Sequence, residues 1–348
     1  STAMAKSMKL GFMVGYWGAG MPVGTPELIL EAERLGYETV WTAEAYGSDA
    51  LTPLAWWGAQ TSRIQLGTSI IQMSARTPTA TAMAAITMDH LSNGRFVLGL
   101  GASGPQVVEG WYGQNYAKPL ERTREYIEII RRILARKERL EFDGNQYRLP
   151  YPGGTGLGKP VRSITHPLRE DLPIYLAAEG PKNVALSAEI ADGWIAIYLS
   201  PRVDGFYRDA LAEGFARPGA RRSFDDFEVA ATVPVIIHDD VEEAASFLRP
   251  VLALYIGGMG AKDMNFHANV FSRMGYEAES KKIQELYLDG KKDEAAAAVP
   301  MSLIEETSLI GPKEKIRDDL EAWRESCVTQ LQIYGDANTL RTMAELCL

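Results

Sequence analysis

Residues 63–104 read RIQLGTSIIQMSARTPTATAMAAITMDHLSNGRFVLGLGASG. Ile64 to Ile71 is a short, continuous apolar run rich in β-branched residues, the pattern of a parallel strand covered on both faces. Thr77 and Pro78 then supply an N-cap and a first helical residue, and Asn93-Gly94 a stop. Phe96 to Leu100 is a second such run, and it passes straight into Gly99-Leu100-Gly101-Ala102-Ser103-Gly104. Glycines at the C-terminal end of a parallel strand let a ligand approach the backbone closely. The segment therefore predicts one βαβ unit that presents a ligand site.

The same alternation extends in both directions. Strands are expected at Lys9 to Gly15, Glu38 to Ala43, Pro173 to Ala178, Trp194 to Tyr198, Phe227 to Ile237 and Gln330 to Tyr334. Between them fall helices opened by Thr25-Pro26, from Leu51 to Ser62, from Pro119 to Arg136, from Pro181 to Ala191 and from Pro312 to Arg324. With the two strands of the opening segment this makes about eight, each followed by helical material. A doubly wound sheet would carry a dinucleotide fingerprint after its first strand, and Gly15-Tyr16-Trp17-Gly18-Ala19-Gly20 has the wrong glycine spacing. The expected fold is an α/β TIM (β/α)8 barrel with insertions near 139–172 and 238–305. Residues 1–8 are read as a leader or expression remnant, and 9–348 as a single barrel domain.

Of 348 residues, 46% are hydrophobic and 23% charged, an ordinary globular composition. The net charge of −9 argues against nucleic acid or an anionic membrane surface as a partner. Two cysteines, Cys327 and Cys347, form neither a disulfide framework nor a metal motif and suit a reducing cytoplasm. No apolar run is long enough to span a membrane.

Barrel active sites lie at the C-terminal strand ends, so the informative residues are those just past each apolar run. Glu44 follows the second strand, Arg76 the third, and Gly101, Ala102, Ser103 and Gly104 the fourth. Ala178-Glu179-Gly180-Pro181 after the fifth opens a helix, offering flexible backbone and exposed N–H groups to a phosphate. His90, Asp89 and Arg95 fall at the opposite end and are expected to lock a helix terminus. His166, His238 and His267 have no partner spacing, so no metal site is expected. Gly-X-Ser-X-Gly is absent, which argues against a hydrolase elbow. Trp56-Trp57 and the methionines Met83 and Met88 are read as core packing.

Taken together, LeuGlyThrSerIle (66–70), ArgThrPro (76–78), AspHisLeuSerAsnGlyArgPhe (89–96), GlyLeuGlyAlaSerGly (99–104) and AlaGluIleAlaAspGlyTrp (188–194) resemble the bacterial luciferase-like superfamily. SerLeuIleGlyProLysGluLysIleArgAspAspLeu (308–320) is similar to the family's closing helix. Within that superfamily the chain looks most like the actinobacterial flavin- or coenzyme F420-dependent oxidoreductases. The resemblance implies a TIM-like barrel holding coenzyme F420, or alternatively FMN, at its C-terminal face. It implies a non-prolyl cis peptide at Ser69–Ile70 behind the ring, Gly101 to Gly104 beside it, and Gly180 with its neighbours on the phosphate. Glu44 would take the place of the family's strand-two acid. Two departures stand out against the dehydrogenases of the deazaflavin branch. Ala45 stands where they place a histidine, and the glutamate that closely follows their strand-four glycines is missing, the next acid being Glu109. The resemblance thus points to a reductase-type enzyme in which Glu44, Tyr16 or Glu109 handles a proton. The alternatives are a two-component monooxygenase using reduced FMN and oxygen, and a cofactor-binding protein without turnover. A small-molecule substrate and a homodimer are expected, with a pocket lid from 149–165 and 254–275.

Overall fold

A computed structural model describes residues 7–258 and 266–348 of the chain. The expectations for residues 1–6 of the leader and for 259–265 of the lid lie outside the described residues. Eight parallel strands form the barrel: β1 Lys9–Gly15, β2 Thr39–Thr42, β3 Gln65–Thr68 resumed at Ile71–Gln72, and β4 Phe96–Gly101, followed by β5 Ile174–Ala177, β6 Gly193–Ile197, β7 Glu228–Thr232 and β8 Gln330–Ile333. Each pairs with the next, and β1 pairs with β8, which closes the sheet on itself. Around it run α1 Thr25–Leu35, α2 Leu51–Gly58, α3 Pro78–Leu91, α4 Pro119–Ala135, α5 Pro181–Ile190, α6 Asp204–Phe215, α7 Lys313–Glu325 and α8 Ala337–Cys347. The architecture is the (β/α)8 barrel that the alternation implies.

Two strands depart from the expected runs. The apolar run 64–71 does not stay in one register: Gly67 pairs with Val97, but Ile71 pairs with Leu100, so β3 carries one extra residue. The Ser69–Ile70 peptide in that interruption is cis. The run 227–237 is split by Pro234, which has no N–H to give to the sheet. Beyond it Val235–Ile237 leaves the barrel and pairs in parallel with Leu309–Gly311.

Trp41 and Tyr175, with ring centroids 5.9 Å apart, fill the barrel interior. They fit because their neighbours are glycines: a Cβ at Gly67 would lie 2.6 Å from the Trp41 ring, and one at Gly193 2.6 Å from Tyr175. The larger core lies between the strands and the helix ring, and it includes Met8, fully buried one residue ahead of β1. Trp57 and Met88 join it, but Trp56 and Met83 do not; they are 78% and 59% exposed. Adjacent helical positions differ by about 100° in direction, so Trp56 and Trp57 cannot share the inward face. The second insertion, with helices Val241–Ala253, Glu277–Leu288 and Met301–Thr307, packs around its own apolar cluster.

The N-terminal face is held by ion pairs. Arg169 grips Asp89 with two hydrogen bonds (2.6 and 3.0 Å), and Arg95 donates to Thr61 Oγ1 and the Ile64 carbonyl. His90 Nε2 lies 2.7 Å from the His166 carbonyl. These residues lock a helix end, as expected. Among the described residues, no helix is long and apolar enough to cross a membrane.

Candidate active site at the C-terminal end of the barrel

The interruption of β3 shapes one wall. Thr68 Oγ1 donates to the Gly99 carbonyl and accepts from the Gly99 N–H, both at 2.9 Å, which fastens β3 to β4 just below it. The Ser69 N–H donates to the Thr42 carbonyl at 2.7 Å. Inside the barrel, Gln332 Nε2 donates to Ser69 Oγ at 3.2 Å, and Thr232 Oγ1 donates to Gln332 Oε1 at 2.8 Å. Ile70 lies against the backbone of β4: a Cβ at Gly101 would stand 1.9 Å from Ile70 Cδ1. The wall therefore combines an apolar side chain with bare backbone, which suits the face and edge of a flat ring.

Glu44 leaves the end of β2 and is buried. Its Oε1 accepts from the Gln72 N–H (2.8 Å) and Arg76 Nη1 (2.5 Å), and its Oε2 from the Ala50 N–H (3.2 Å) and Arg76 Nη2 (2.9 Å). Arg76 also reaches Asp49 at 2.6 Å. Burial acts to lower the Arg76 pKa, but the Glu44 and Asp49 carboxylates outweigh it and hold it above the usual arginine value. Gln72 returns a bond to the Glu44 carbonyl (3.0 Å) and accepts one from Ser103 Oγ. Glu44 thus knits the loops after β2, β3 and β4. Glu109, at the end of a four-residue helix after Gly104, is exposed, and no described side chain bonds its carboxylate.

After β5, the Ala178 carbonyl accepts from Trp194 Nε1 (2.8 Å), and Gly180 is the N-cap of α5 with Pro181 as first helical residue. Among the described residues no side chain caps this helix, and a Cβ at Gly180 would meet none of their atoms within 4 Å. Its first-turn N–H groups are open to an anion. Arg273 donates to the Glu179 carbonyl (2.7 Å), and His267 Nδ1 stands 2.6 Å from Glu179 Oε1. Tyr198, Tyr255, Phe271 and His267 pack nearby in tilted and edge-on contacts, Tyr198 lying 5.0 Å from Tyr255 and 5.1 Å from Phe271. Burial raises the Tyr198 hydroxyl well above its usual value and pushes Tyr334, packed against Gly15, up to about 12.

The strand-end rule applied to β2 to β5 also reaches Tyr198 and Tyr334, each just past a barrel strand. His267 carries no such signal, because it sits in the second insertion with no spacing to Glu179. Among the described residues no cluster of three or more His, Cys, Asp or Glu side chains is arranged to hold a metal.

Residues 19–330 match the family of luciferase-like monooxygenases. A protein of Mycobacterium tuberculosis, provisionally named a coenzyme F420-dependent oxidoreductase, is 55% identical over 346 residues, 99% of this chain and all of that one. The 5,10-methylenetetrahydromethanopterin reductase of Archaeoglobus fulgidus is 28% identical over 304 residues, 86% of each chain. Among solved structures, the coenzyme F420 dependent tetrahydromethanopterin reductase of Methanopyrus kandleri superposes with a TM-score of 0.77 at 24% identity, over 97% of this chain and 98% of that one. That likeness concerns the fold. The match over residues 19–330 settles the family: this chain is a member of the luciferase-like monooxygenase family.

Proposed function

We propose that the chain is a coenzyme F420-dependent oxidoreductase acting on a small organic substrate. The observation that carries this reading is the end-to-end 55% identity to the mycobacterial protein of that provisional name. The site's chemistry fits the cofactor. Ile70 and the bare backbone at Gly101 suit a flat ring, and the uncapped start of α5 suits a phosphate. When bound, the deazaflavin supplies a ring carbon that gives or accepts a hydride.

The remaining work falls to the chain's own groups. Ser69–Ile70 backs the ring, Gly101, Ala102, Ser103 and Gly104 border it, and Ala178, Glu179, Gly180 and Pro181 hold the anionic arm. Glu44, with both oxygens committed to the wall, positions Gln72 and Arg76 at the cofactor's edge. Glu109, Tyr16, which is exposed just past β1, and the His267–Glu179 pair are the groups left to exchange a proton with substrate. With an acceptor in hand, Glu109→Gln, Tyr16→Phe or His267→Asn removes one limb of the pH–rate profile, whichever residue is the donor; loss of no limb in any of them overturns all three assignments.

The whole chain from 9 to 348 is taken as one functional barrel. A homodimer is part of the proposal; sedimentation equilibrium of the parent and of a variant altered at the exposed Trp56 and Met83 checks it. The free cysteines suit a cytoplasmic setting.

The deciding experiment titrates apoprotein with F420 and with FMN. Saturable F420 binding without a comparable FMN response is the expected result. Tight FMN binding with no response to F420 overturns the proposal in favour of a monooxygenase using reduced FMN and oxygen. F420 binding with no acceptor turned over across a broad panel leaves a carrier protein instead.

A further inference from the structure

We propose that a cavity between the turn after β3 and the start of α4 is a binding site for a carboxylate or phosphate group. The cavity has a volume of about 220 Å³, with Ser74, Arg76, Ala102, Tyr116, Arg122 and Tyr147 among its walls. Among the described residues that line it, none is an aspartate or glutamate.

Two buried polar atoms of its lining residues have no partner among the described residues: Arg122 Nε and Ser74 Oγ. Buried polar groups are nearly always hydrogen-bonded, so two orphans around one cavity point to an absent acceptor. Arg122 donates Nη2 to Gln146 Oε1 at 2.6 Å and lies 5.9 Å from the centre of the Tyr147 ring. Among the described residues no carboxylate pairs with it. Arg76, by contrast, is already matched by Glu44 and Asp49. The lining charge with no carboxylate in direct contact is therefore that of Arg122, which Glu121 reaches only through Gln146. A guanidinium edge and a hydroxyl presented together are suited to an oxyanion with two or more acceptor oxygens.

The cavity adjoins the candidate active site, because Arg76 and Ala102 belong to both. It is separate from the uncapped start of α5, since no residue of 178–181 lines it. The acidic group bound there comes either from an arm of the cofactor or from the substrate, and the first choice rests on the F420 reading above.

The test uses the full-length protein with inorganic phosphate and glutarate as probes, followed by calorimetry and by thermal shift. Arg122→Gln is expected to weaken at least one probe tenfold or more, Ser74→Ala about threefold, and Arg122→Lys, which keeps the charge but lacks the Nε–H edge, by an intermediate factor. If Arg122→Gln and Ser74→Ala both melt like the parent and bind both probes unchanged, the site is refuted. If Arg122→Gln is unstable, Ser74→Ala and Arg122→Lys decide alone.

F420 and the same deazaflavin lacking phosphate and acidic tail then identify the source. Loss of F420 affinity in Arg122→Gln, with the truncated deazaflavin unaffected, assigns the site to the cofactor arm. Unchanged binding of both, with glutarate lost, assigns it to an acidic substrate. If the parent binds glutarate through Arg122 but never binds F420, the cofactor reading fails and the anion site stands.

Discussion

Gly99 and Gly101 lie two residues apart on β4, yet they answer to different neighbours. A Cβ at Gly99 would sit 1.7 Å from the Thr68 carbonyl oxygen, a backbone atom fixed by the strand pairing. A Cβ at Gly101 would instead meet the tip of Ile70, which can rotate away. Gly99→Ala is therefore expected to cost roughly 1–3 kcal/mol of stability by overpacking, read from urea unfolding. Gly101→Ala is expected to leave the unfolding midpoint nearly unchanged. By displacing Ile70 it should weaken cofactor binding about tenfold, or about 1.4 kcal/mol. A Gly101→Ala protein that binds cofactor like the parent would show that Ile70 does not face the ring. The run GlyLeuGlyAlaSerGly (99–104) is plain in the sequence, but the division of labour within it is not. Which glycine protects the fold and which the site depends on Thr68 and Ile70, about thirty positions earlier.

At the scale of elements, periodicity carried the reading wherever one stretch made one element. The helix 119–135 shows its inward face in Tyr126, Ile127, Ile130 and Leu134, all buried. Where a local break decides, the apolar pattern was blind to it. Residues 64–71 and 227–237 each look like one strand, since an apolar run says nothing about register. Only Pro234 left a local mark, by lacking an N–H. Glu44 was legible as a strand-end acid; its commitment to the Gln72 N–H and to Arg76 was not, because those partners arrive from the end of β3 and the loop after it. The second insertion was legible as an interruption of the alternation; its separate apolar cluster, and the delivery of His267 to Glu179, depend on packing between segments far apart in sequence.

Across the whole molecule the two ends of the barrel divide stability from function. The N-terminal end offers the cleaner test. Asp192, just before β6, is buried, and its carboxylate accepts from Arg131, from Arg222 (3.0 Å), from Arg221 (3.3 Å) and from the Ile174 N–H (2.9 Å). It thereby ties α4, β5, β6 and the segment ahead of β7 together, far from Ile70 and Gly180. Burial alone would raise the Asp192 pKa, but the charge and hydrogen bonds of Arg131 and the Ile174 N–H outweigh it and hold the pKa below the usual value. A carboxyl depressed on folding adds stability that is fully present above its unfolded value, about 3.9. That contribution is lost as the pH falls through the lower folded value. Asp192→Asn should therefore lower the melting temperature at pH 7, and the gap from the parent should narrow as the pH drops below about 4. Cofactor affinity at pH 7 should stay unchanged, because no residue of the proposed site touches this cluster. A gap that stays constant down to the acid transition would mean that Asp192 acts through shape alone. A loss of cofactor affinity would mean that the two ends of the barrel are coupled.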